Sequence, residues 1–177
     1  MKKVNQHEKQ LKFTNLSILY HMIRCSFFSV GSLKWLFLNK FITKKILLFY
    51  FLLLLLPIKS LVTGEIYFLD PGIIIESVVL SFFYYFILFI LIPVKKLSFW
   101  GTIRIFLSIE VINIFMTASL YLESYGLILL YSVIIGWYFT LSVFVIYQIS
   151  QISYNKAIVI VSIAFLLTNF MPAIFNN

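Results

Sequence analysis

The sequence predicts an all-α fold: a polytopic membrane helical bundle of five transmembrane helices preceded by amphipathic interfacial helices. Three observations carry that expectation. Hydrophobic residues fill 62% of the 177 positions and charged residues only 11%, against about a quarter charged in soluble domains. Mean hydropathy is +1.03. Five apolar stretches approach the ~20 residues that a helix needs to cross a hydrocarbon core. The runs are also unbroken, as from Phe49 to Leu56, whereas the strands of a membrane barrel alternate apolar and polar residues.

The chain divides into a cytoplasmic basic N-terminal segment, residues 1–45, and a five-helix domain, residues 46–177. Its spans are expected at 46–63, 72–93, 99–122, 126–149 and 157–175. The N-terminal segment lacks the short apolar core and small-residue cleavage site of a signal peptide, so the first span is expected to serve as an uncleaved insertion signal. Within this segment Leu16, Leu19, Tyr20, Ile23, Phe27 and Val30 fall on one helical face, which Ile18, Met22 and Phe28 widen. Gly31 and Ser32 interrupt the pattern. Leu33, Leu36, Phe37 and Phe41 then recur opposite Lys34, Lys40 and Lys44. Two helices lying on the inner leaflet are expected, with Trp35 at headgroup level; the alternative is that Leu16 to Val30 packs under the bundle as a plug.

Charge sets the expected orientation. All of the 14 basic residues except Lys59 and Arg104 precede the first span or lie in the second-to-third and fourth-to-fifth connections, where Lys95, Lys96 and Lys156 stand. The opposite side holds Glu65, Asp70 and Glu123. Because basic residues are retained on the cytoplasmic side, the N-terminus is expected inside and the C-terminus outside. The net charge of +8 is thereby explained without nucleic acid, which is not an expected partner. The expected partners are the lipid bilayer with its anionic headgroups, and a protein partner or a second copy of the chain. The single cysteine, Cys25, excludes an intramolecular disulfide and reads as an unmodified surface thiol, with palmitoylation as the alternative.

Polar residues inside the apolar runs are the candidate functional groups. Glu110 lies near the middle of the third span, where an ionisable side chain costs roughly 2.5–3.5 kcal/mol unless neutralised, paired or wetted. Asn113 and Thr117 share its helical face, giving a polar stripe that is either a hydrogen-bond cluster between helices or a proton or substrate site. Arg104 lies about 120° around the helix from Glu110 and about 8 Å above the inner boundary, so it is expected to snorkel to the headgroups rather than pair with Glu110. Lys59 and Glu76 stand at equal depth on consecutive spans and form a candidate ion pair. In the fourth span Ser132, Gly136 and Thr140 make a small-residue seam suited to helix packing. Pro57 and Pro172 are expected to kink or end their helices.

Both histidines, His7 and His21, precede the first span, and the chain has no HExxH, GxSxG, paired aspartates or P-loop. No catalytic residue, metal or cofactor is expected, and no enzymatic activity.

The stretch FWGTIRIFLS at the head of the third span, GWYFTLSVFVIYQIS in the fourth, and YNKAIVIVSIAFLL in the fifth carry a family likeness. With a cytoplasmic amphipathic segment before five spans, they resemble the Yip1 family of integral membrane proteins, by pattern over residues 46–177. That resemblance implies a non-enzymatic scaffold or accessory protein, acting through protein or lipid partners in membrane organisation or trafficking. The alternative is a small transporter or channel subunit that uses the Glu110 stripe. Richness in Phe, Ile, Lys, Tyr and Asn suits an AT-rich genome, and with it a bacterial cytoplasmic membrane.

Overall fold

A computed structural model describes residues 14–55, 71–93, 98–112 and 124–175. Among them every regular element is helical: α1 Asn15–Ser26, α2 Val30–Leu38, a short 3-10 turn Lys40–Ile42, α3 Thr43–Leu55, α4 Pro71–Leu91, α5 Phe99–Ile109, α6 Ser124–Ser150 and α7 Tyr154–Phe175. Helix thus occupies at least part of each of the five expected apolar stretches. Within the described residues one of them, Ile128–Ser150, is long and apolar enough to cross a membrane, while Val78–Leu91 and Tyr154–Phe170 are shorter apolar helices.

Local chemistry sets the boundaries of the N-terminal helices. Thr14 caps α1, its hydroxyl accepting from the Ser17 amide at 3.2 Å. The helix closes at Phe28, which takes the left-handed conformation (φ 59). There the amides of Phe28 and Ser29 return to the carbonyls of Cys25 and Arg24, both at 3.1 Å, satisfying the last turn. Ser29 then caps α2 through the Ser32 amide at 3.4 Å. The interruption therefore falls at Phe27–Ser29, not at Gly31 and Ser32, which lie inside α2.

The centre of the fold is α5. Every residue from Gly101 to Ile112 is buried, and α5 touches α1, α2, α3, α4 and α6. Both the polar and the apolar residues of α5 find partners, because α1 and α2 pack on it as well as the apolar helices α3, α4 and α6.

The N-terminal helices pack against each other and on α5 as a helical hairpin. Their buried face differs from the expected one. Ile18, Met22 and Cys25 are fully buried, while Leu16, Tyr20, Ile23 and Phe27 of the expected face are exposed. Helix α1 is apolar on two sides, and α5 took the side that also holds the small Cys25 and Ser26, which permit close approach. Cys25 is accordingly not a surface thiol: burial pushes its pKa up to about 12, leaving it protonated and unreactive at neutral pH. Trp35 is half-buried and stacks on His21 with ring centroids 4.0 Å apart, and His21 Nδ1 meets Ser32 Oγ at 3.1 Å, joining the two arms of the hairpin.

The tip of the hairpin docks on α6. Trp137 Nε1 donates to the Ser26 carbonyl at 3.0 Å, and Phe27 and Phe28 meet Trp137 and Phe144 edge-on, each at 5.4 Å. Near the other end of the hairpin, α2 comes so close to α5 that a Cβ on Gly101 would stand 2.6 Å from the Phe37 ring. Gly136, by contrast, has nothing within 4 Å of a built Cβ. Gly101→Ala is therefore expected to destabilise the chain by about 1 kcal/mol, overpacking outweighing the gain in helix propensity. Gly136→Ala should stabilise it by roughly 0.5–1 kcal/mol. Denaturant titration of both variants in detergent checks the opposite signs.

Candidate functional site: a carboxylate held by tyrosines

Glu110 sits where α5 tightens into a 3-10 turn, and is 7% exposed. Helix α4 brings Tyr85 to it, whose hydroxyl donates to Glu110 Oε1 at 2.5 Å. Helix α6 brings Tyr138, whose hydroxyl donates to the same oxygen at 2.9 Å. Phenol donors at these distances are strong partners for a carboxyl oxygen. One turn back on α5, Phe106 stacks on the Tyr85 ring at 5.4 Å and fixes its position. Tyr84 and Tyr50, 4% and 2% exposed, complete an aromatic wall. Their hydroxyls lie beside Ser142 and Ser81 but outside hydrogen-bond geometry.

A cavity of about 300 Å³ reaches Glu110. Its walls are Leu80 and Ser81 of α4, Ile134 and Ile135 of α6, and Thr168 and Asn169 of α7. These residues precede Tyr84 on α4 and Tyr138 on α6 but follow Phe165 on α7. Helices α4 and α6 therefore run one way past Glu110, and α7 the other.

Arg104 has a different role from the expected one. It is 2% exposed and does not snorkel. Its Nε donates to the Leu36 carbonyl at 3.2 Å, Nη2 to the Phe37 carbonyl at 2.5 Å and Nη1 to Thr43 Oγ1 at 3.1 Å. The guanidinium thus satisfies carbonyls at the C-terminal end of α2, where the helix dipole favours a cation, and clips the hairpin to the starts of α3 and α5. The end of α2 lies against α5 and puts the Leu36 and Phe37 carbonyls within reach of the guanidinium. Arg104 and Glu110 belong to separate polar sites.

The remaining expected residues divide as follows. Asn113, Thr117, Lys59 and the Glu76 side chain, hence the rest of the polar stripe and the candidate ion pair, lie outside the described residues, as does Pro57; α7 continues through Pro172 to Phe175. Ser132, Gly136 and Thr140 are exposed, so among the described residues the seam joins no second helix of this chain. The hydroxyls of Ser132 and Thr140 instead bond the carbonyls of Ile128 and Gly136, at 2.8 and 2.7 Å. Tyr85 and Tyr138 were not singled out from sequence. The available signal was their place near mid-helix in spans adjacent to that of Glu110, at similar depth.

No family model matches the chain, and no curated protein or solved structure shows significant similarity to it.

Proposed function

We propose that the chain is a non-enzymatic integral membrane scaffold of five spans, Yip1-like in its organisation, with its N-terminus in the cytoplasm. The observation that carries this reading is where its polar and apolar groups point. Glu110 and Arg104 are turned inward and engaged by other parts of the same chain, in roles that support architecture. The long helices turn apolar side chains outward, including Ile128, Leu129 and Val133 on α6 and Val159, Leu166 and Phe170 on α7. Only 28% of the spanning window in α6 is buried, unlike the core helix of a soluble protein, and lipid is the solvent that suits such a surface.

The hairpin gives the scaffold a working surface. Leu16, Tyr20 and Ile23 are exposed along one side of α1, while its opposite side is fixed to α5. The N-terminal segment therefore presents a rigid apolar strip instead of a flexible arm. A second reading, a small transporter or channel subunit, is favoured by one observation: the cavity that opens onto Glu110.

A single purification separates the two. The full chain is isolated from membranes in mild detergent beside Leu16→Ser/Ile23→Ser and Glu110→Gln variants. The scaffold reading expects the double variant to keep its helical circular dichroism and lose its co-purifying partner, while Glu110→Gln retains it. Retention of the partner by the double variant overturns it. Loss of solute flux in reconstituted Glu110→Gln, with assembly intact, supports the transporter reading instead.

A further inference from the structure

A second cavity, of about 790 Å³, lies between the start of α3 and the start of α5. Lys40, Lys44, Lys45 and Arg104 line it, and among the described residues no carboxylate does. Lys40 and Lys44 are exposed at its mouth, while Arg104, at its wall, is held rigidly by three of its five N–H groups. Lys40, Lys44 and Arg104, three cations on one concavity with no carboxylate among its described lining residues, make its potential positive. Phe41 and Trp100, 69% and 56% exposed, also line it. An apolar rim around a cationic well is what the border between acyl chains and headgroups calls for.

Its position agrees with the orientation read from charge. Residues 40–45 immediately precede the first expected span and residues 98–100 open the third, and both line this cavity. Residues from the starts of both helices line the one cavity, and Arg104 of α5 bonds Thr43 of α3 across it. In the proposed topology this places the cavity at the inner headgroup layer.

We infer that the cavity binds a phosphate ester of net negative charge, which in the bilayer is the headgroup of an anionic glycerophospholipid. The lipid source rests on the proposed membrane topology; phosphate recognition does not. A bound headgroup would tie α3, α5 and the end of α2 together at the point where Arg104 already joins them, so lipid composition would act on how firmly the hairpin is held.

The test is thermal unfolding of the full chain in a neutral detergent, with dihexanoyl phosphatidylglycerol, dihexanoyl phosphatidylcholine or glycerol 3-phosphate added. Phosphatidylglycerol should raise the Tm and phosphatidylcholine should not. In Lys40→Gln/Lys44→Gln the concentration for half the rise should increase about 30-fold, roughly fivefold for each lysine. The variant Lys34→Gln/Lys156→Gln removes two exposed lysines outside the cavity and should leave that concentration unchanged. A rise with glycerol 3-phosphate at equal concentration supports the phosphate site and assigns it a soluble ester; a rise with phosphatidylglycerol alone assigns it the lipid. An equal response to phosphatidylcholine, or an equal loss in the Lys34/Lys156 variant, overturns the proposal. Because binding is read in micelles, its failure is distinct from a failure of the scaffold reading.

Discussion

Arg104→Met is expected to free the N-terminal hairpin from the helices it packs against, the largest effect of any single change considered. Methionine keeps most of the length of the side chain and its apolar stem, so the change isolates the guanidinium. Two backbone carbonyls, Leu36 and Phe37, lose their donor inside the protein. A buried acceptor left unsatisfied costs roughly 1–3 kcal/mol, so the pair predicts a loss of about 2–6 kcal/mol. Arg104→Lys should recover only part of it, because one ammonium lacks the planar fork that reaches both carbonyls and Thr43 Oγ1 together. Limited proteolysis reads the outcome. Cleavage between Leu38 and Thr43 should be slow in the parent chain, fast in Arg104→Met and intermediate in Arg104→Lys. Equal rates in all three would show that the apolar contacts of α2 hold the hairpin without the arginine.

That arginine also shows where the sequence stops being readable. Its depth in the apolar run was legible, and the geometry of one helix correctly separated it from Glu110. Its partners were not legible, because they are main-chain carbonyls 68 and 67 residues upstream, and a carbonyl has no sequence signature. The helical class was legible because it depends on composition and run length alone. The buried side of α1 was not. With Ile18 and Met22 on one side and Leu16, Tyr20 and Ile23 on another, periodicity identifies a helix but cannot choose which stripe faces the bundle. The seam of Ser132, Gly136 and Thr140 meets no second helix among the described residues. Small residues allow close approach, but the larger Trp137, Tyr138 and Leu141 alongside them supply the contacts that α6 makes.

Glu110→Leu should destabilise the bundle by about 2 kcal/mol, and the reason is best tested by making the site worse in appearance. The substitution strips the acceptor from two phenols, Tyr85 and Tyr138, which approach the same oxygen. Tyr85 is fully buried, so its hydroxyl has little access to a replacement. Hydrogen bonds within membrane proteins average only about 0.6 kcal/mol, so most of the expected loss comes from stranded hydroxyls rather than from the bonds themselves. Removing those hydroxyls as well should therefore help. The triple variant Glu110→Leu/Tyr85→Phe/Tyr138→Phe is expected to be more stable than Glu110→Leu alone, whereas independent contributions would make it less stable. Glu110→Gln keeps an acceptor and should lie close to the parent. Unfolding by SDS titration gives the order directly. If the triple variant falls below Glu110→Leu, the tyrosines stabilise the fold by something other than their bonds to this carboxyl group. If it recovers, the carboxyl group of Glu110 is an architectural joint between α4, α5 and α6, and the cavity beside it can be altered without dismantling the bundle.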